Sequence, residues 1–158
     1  MEPESLNPLV HEKAVSNHAD TREEIMPLVA LCRAGKLFDV QAWIAEGKPV
    51  NPPLHFGKGS RTRSPLDIAM ESGFHSLVEV LLRAGAIQDP PSGYGSPIGR
   101  ALAERRLDMI ELLMQHGCNA RDVEFIDVLR SWDPKIFEFF IKRWSISNKF
   151  VGILLPEK

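Results

Sequence analysis

Apolar residues recur along this chain in short blocks of helical spacing, each closed by a glycine. Leu77, Val78, Val80, Leu81 and Leu82 form one block ahead of Gly85; Met109, Ile110, Leu112, Leu113 and Met114 form another ahead of Gly117. Apolar positions three and four apart line one face of a helix, and the lone acids Glu79 and Glu111 fall on the other. A serine–proline step stands upstream of each block, at Ser64-Pro65 and Ser96-Pro97. Serine caps a helix by accepting from a free backbone N–H of the first turn, and proline suits the first helical position. The pattern predicts paired helices, Pro65–Ser72 with His75–Ala84 and Pro97–Glu104 with Leu107–His116. Gly73 turns the first pair, and Arg105 or Arg106 stands where the second pair would carry that glycine. Ser64 and Ser96 lie 32 residues apart (96 − 64), as do Gly85 and Gly117 (117 − 85). The chain repeats.

The same frame extends both ways. Upstream, a helix over Pro27–Ala34, a turn at Gly35 and a helix over Leu37–Glu46 end at Gly47. Thr21 and Glu24 have the spacing of a capping box. Proline inside a helix clashes with the preceding turn, however, so the expected start is Pro27 rather than Thr21. Downstream, Asp133-Pro134 reads as a cap and first-turn proline, and Ile136–Ile141 copies Met109–Met114. Glu111 and Glu138 are 27 residues apart (138 − 111), so this last unit is shortened in its connection.

Ser64-Pro65-Leu66-Asp67-Ile68-Ala69 and the restart at Ser96-Pro97-Ile98, at this period, resemble the ankyrin repeat. The resemblance covers about 120 residues, from Ile25 to Trp144. It implies an all-α solenoid of helix-turn-helix units with hairpin or loop fingers, in repeats of about 25–51, 64–89, 96–121 and 123–144. Residues 1–24 are expected to be a polar, partly disordered leader, and 145–158 a cap or tail. The resemblance further implies a non-catalytic module that binds another protein through its concave face and fingers, as an inhibitor, immunity protein or adaptor does.

Composition narrows the partner. With 19 Lys+Arg against 21 Asp+Glu, the net charge of −2 lacks the basic footprint of a general nucleic-acid binder. No apolar run is long enough to span a bilayer, and with the acidic Met1-Glu2-Pro3-Glu4 a secretory leader is not expected. Cys32 and Cys118 are distant from each other and read as free thiols of a reducing compartment, so a cytoplasmic location is expected. No cofactor is expected. The histidines at 11, 18, 55, 75 and 116 have no Cys, Asp or Glu at ligand spacing, which argues against a metal. Gly93-Tyr94-Gly95 with Gly99 mimics a nucleotide-binding run, but the last glycine is one residue late and no buried strand precedes it. No nucleophile motif occurs; the alternative to a binding module is an enzyme whose site is assembled from dispersed residues.

In the ankyrin frame the longest finger spans Asn51 to Arg63 and is six residues over period. It joins Phe56 to the cations Lys58, Arg61 and Arg63, a mixture suited to an acidic partner. Tyr94 tips the next finger, between two glycines. Asp67, Met70 and Glu71 in the second unit, with Arg100 and Glu104 in the third, are expected to face the groove. Trp132, Phe137, Phe139, Phe140, Trp144 and Phe150 form an aromatic end. They are expected to cap the core of a monomer, or to join two copies weakly.

Overall fold

The computed structural model describes residues 17–54, 63–88 and 95–146. Among them the fold is all-α, with no strand. Its helices are α1 (Arg22–Arg33), α2 (Leu37–Ala45), α3 (Pro65–Ser72), α4 (His75–Arg83), α5 (Pro97–Ala103), α6 (Leu107–Gln115), α7 (Phe125–Arg130) and α8 (Pro134–Ile146). A 3-10 turn over Ala120–Asp122 leads into α7. The leader up to residue 16, the tail from 147, Phe56, Lys58, Arg61 and Tyr94 lie outside the described residues.

Helices pack as pairs in chain order: α1 on α2, α3 on α4, α5 on α6, α7 on α8. The first members also touch in succession, α1 to α3, α3 to α5 and α5 to α7, while α2 meets α4 and α4 meets α6. One continuous core results. Leu28, Leu66, Ile98 and Val128 enter it from the first members, and Leu81, Leu113 and Phe140 from the second. Leu112 and Phe139 are buried in the same cluster, and the equivalent Val80 packs against it half-buried. At the far end Phe140 and Trp144 stack with centroids 5.3 Å apart, and the Trp144 indole N–H donates to the Ala120 carbonyl at 2.9 Å. Trp132 departs from this cap: it is 82% exposed.

Capping sets the helix starts. Ser64 Oγ accepts from the Asp67 N–H at 3.0 Å while Asp67 Oδ2 accepts from the Ser64 N–H at 3.1 Å, a closed capping box. Ser96 Oγ accepts from the Gly99 N–H at 2.9 Å. The first helix corrects the expected boundary. It opens at Arg22, not Pro27, because Thr21 Oγ1 accepts from the Glu24 N–H at 3.3 Å and Glu24 Oε2 accepts from the Asp20 N–H at 2.8 Å. Two satisfied donors at the start outweigh the one backbone bond that Pro27 removes.

The turns inside each pair share one conformation. Gly35, Gly73, Arg105 and Trp132 have φ of 67°, 72°, 56° and 52°, and each follows the end of a first-member helix. At Arg105 the backbone closes in the Schellman pattern: its N–H donates to the Leu102 carbonyl at 3.1 Å, and the Arg106 N–H donates to Ala101 at 2.9 Å. The non-glycine turn of the third pair therefore centres on Arg105, one of the two expected positions.

Residues 17–19 are integrated into the fold rather than belonging to a leader. Ala19 is buried, and its N–H donates to the Asn51 carbonyl at 2.9 Å. The Asn17 side-chain amide donates to the carbonyls of Ala84 at 2.8 Å and Gly85 at 3.1 Å. Buried Asn51 donates to the same Gly85 carbonyl at 2.9 Å and accepts from the Ile87 N–H at 2.8 Å. Gln88 repeats the device one pair later, donating to Leu113 and His116 carbonyls at 3.0 Å each. In both cases an amide from one connection satisfies the orphan carbonyls that end the next helix.

Candidate functional site

A groove of about 690 Å³ lies between α5 and α7. The sequence opens it with small residues: Gly95, Gly99 and Ala103 leave one wall low, and Leu102 supplies apolar floor. Arg100 rises from α5 and Glu104 caps its end one turn on. Asp127, Arg130 and Ser131 form the facing wall. The Ser131 hydroxyl is turned away, donating to the Val128 carbonyl at 2.7 Å. Arg130 and Asp127 pair at 3.4 Å across a helical turn, leaving Arg130 72% exposed at its side chain. Among the described residues Arg100 makes no ion pair, so its charge is available in a partly shielded position.

The candidate residues on α3 fare differently. Met70 is 2% exposed and belongs to the core, which corrects its expected place on an open face. Its position alongside Leu66 and Ala69 puts it on the buried stripe of α3. Asp67 is occupied by its capping box. Arg63 and Glu71 pair at 2.6 Å with side chains 47% and 49% exposed. Such a pair contributes at most about 1 kcal/mol, so it remains open to exchange with a partner's charges. The structure thus gathers Arg100 and Glu104 into the groove and leaves Arg63 and Glu71 on the preceding pair.

Sequence reasoning missed Asp127, Arg130 and Ser131. The signal existed: the 27-residue offset that carries Glu111 to Glu138 also carries Arg100 to Asp127 (127 − 100), Ala103 to Arg130 and Glu104 to Ser131.

The electrostatics are those of surface pairs and buried thiols. The Arg106 guanidinium hydrogen-bonds Asp108 and holds its carboxyl below the usual range. Lys142 does the same for Glu138. Burial pushes the Cys32 thiol up to about 12, and burial with the nearby Asp122 charge pushes Cys118 to about 11. Neither thiol is poised as a nucleophile, which requires the thiolate. Among the described residues no group of three His, Cys, Asp or Glu side chains could hold a metal ion. No described helix is long and apolar enough to cross a membrane.

No protein-family model matches the chain, and no curated protein compared with it does so.

Proposed function

We propose that the stacked helix pairs form an ankyrin-type solenoid and that the protein is a non-catalytic module binding another protein. The shared left-handed turns support the solenoid reading. They recur at spacings of 38, 32 and 27 residues (35 to 73, 73 to 105, 105 to 132), and the middle one equals the serine and glycine spacing. The observation that carries the binding reading is the groove between α5 and α7. Arg100 and Glu104 on one wall face Asp127 and Arg130 on the other, over small and apolar residues. Mixed charge around an apolar floor selects a partner by complementarity, and steers its approach more than it raises affinity. Arg63 and Glu71 form a further exposed charge pair on the preceding helix pair. The partner is a protein with an acidic patch, and the module acts by covering it, as an inhibitor or adaptor.

The test is reversal of the groove. Arg100→Glu with Arg130→Glu should leave the melting temperature nearly unchanged, because exposed surface charges contribute within about 0.5 kcal/mol. The same variant should lose the partner recovered by pull-down from the native host, with slower association of the purified pair. Unchanged association and dissociation rates would remove the groove from the interface.

A further inference from the structure

Each helix pair contributes one residue in the left-handed region at its turn. Glycine adopts this backbone freely, whereas a side chain there crowds the following carbonyl. Two of the four are nonetheless large: Arg105 at φ 56° and Trp132 at φ 52°. A bulky residue in this region is a genuine outlier, and such outliers concentrate where a side chain is needed for something other than the fold.

Neither side chain holds the structure together. Trp132 is 82% exposed. Arg105 is exposed, and among the described residues its side chain has no ion pair. Its neighbours at the turns are matched: Lys36 pairs with Asp39 at 3.7 Å, and Arg106 grips Asp108 at 2.7 Å. The first three turns are within side-chain reach of one another in succession. The Phe74 ring covers Gly35, and Arg106 Nη1 donates to the Gly73 carbonyl at 3.4 Å. Phe74 itself is 49% exposed. In chain order the turns offer an aromatic ring, an unmatched guanidinium and an indole.

We propose that this set of turns is a second docking surface, for a protein segment that presents a carboxylate beside an apolar or aromatic side chain. Arg105 supplies the complementary charge in a geometry that suits two parallel hydrogen bonds to a carboxylate. Phe74 and Trp132 supply exposed apolar area at the preceding and following turns, and Trp and Arg are residue types that dominate binding energy at interfaces. The surface lies on the turns, outside the groove between α5 and α7, and stands whether or not that groove binds a partner.

Random peptides displayed as a library and selected on the full chain provide the probe. The enriched peptides are synthesised and titrated calorimetrically against the parent, against Arg105→Gly with Trp132→Gly, and against Arg100→Glu with Arg130→Glu. The expected peptides carry Asp or Glu next to an aromatic or aliphatic residue. The glycine variant should weaken them about tenfold or more, the groove variant should not. Because glycine suits φ above zero, the glycine variant should melt at or above the parent temperature. Lack of acidic–apolar enrichment, retained binding by the glycine variant, or loss in the groove variant instead would each overturn the proposal. So would a lower melting temperature of the glycine variant, which would assign the two side chains to the fold. A parent dimer that the glycine variant dissolves would make the turns a contact between copies, and would overturn it equally.

Discussion

The ring of Phe74 closes over Gly35 so tightly that a Cβ on that glycine would stand 2.8 Å from Cε2. Gly35 is therefore doubly required, by its φ of 67° and by the ring. Gly47 has a similar φ of 71° but nothing within 4 Å of a would-be Cβ. The two glycines separate backbone strain from packing. Gly47→Ala should cost about 1–2 kcal/mol, the penalty of a side chain in this region. Gly35→Ala should cost about 1–3 kcal/mol more, the range for forcing atoms into filled space. Equal losses in urea unfolding would show that Phe74 swings away freely.

Leu112 lies at the seam where α6 joins the common core, 4% exposed. Leu112→Ala should destabilise the protein by about 2–5 kcal/mol, as other large-to-small core changes do. A loss below about 1 kcal/mol would mean that the last two pairs do not share the core of the first two.

Asn51 ties two segments far from it in sequence, through Gly85 and Ile87 in one and Ala19 in the other. Its side chain is the only part that substitution removes. Asn51→Ala removes two part-buried hydrogen bonds, leaving the Ile87 N–H without its partner and the Gly85 carbonyl with Asn17 alone, at a cost of about 0.5–1.5 kcal/mol each. Amide exchange should quicken at Ile87 well before it quickens in α6. Unchanged protection at Ile87 would show that water replaces the amide without loss.

Much of this fold was legible in the sequence because the repeat states it redundantly. Ser64, Ser96, Gly35, Gly73, Gly85 and Gly117 each carry a local instruction that packing then repeats, so helices α2 to α6 fall within a residue or two of expectation. The misses come where local signals compete or dissolve. Thr21 and Pro27 gave opposite instructions for α1, and the caps made by Thr21 and Glu24, together with burial of Ile25, decide between them. Met70 sits next to the charged Glu71, yet rotation by one residue on a helix separates core from surface. The wall formed by Asp127 and Arg130 lies in a unit whose turn glycine is replaced by Trp132, and no glycine marks its register. Asn17 was invisible for another reason: its role depends on Gly85, 68 residues away.

The thiols give a prediction with a definite sign. Cys32 has an ordinary value of 9.0 and is raised to about 12 in the folded chain by burial. The folded state therefore resists losing that proton while the unfolded state releases it. The stability tied to this group is complete below pH 9 and falls as pH rises from 9 toward about 12. Cys32→Ala should flatten the alkaline loss in urea unfolding relative to the parent. Cys32 should also label with a thiol reagent only as fast as the chain opens, while Cys118, raised to about 11 and partly exposed, labels sooner. Equal alkaline slopes in parent and variant would place the Cys32 thiol in contact with water.

Pro27 supplies the last and most direct test of where the first helix begins. In the structure it stands inside α1, exposed, with five helical residues before it. It has no N–H to give the Glu23 carbonyl, and its ring crowds that carbonyl. Pro27→Ala should restore the bond and remove the crowding, a gain of up to about 3 kcal/mol. Against this stands the extra freedom of the unfolded chain once proline is removed, about 0.4–1 kcal/mol. The net expectation is a stabilisation of roughly 1 kcal/mol or more, read as a higher urea midpoint at unchanged slope. Thr21→Ala should act in the opposite direction, losing about 1 kcal/mol with the cap. If instead Pro27→Ala destabilises and Thr21→Ala is silent, the helix opens at Pro27 and Arg22–Met26 are an unwound lead.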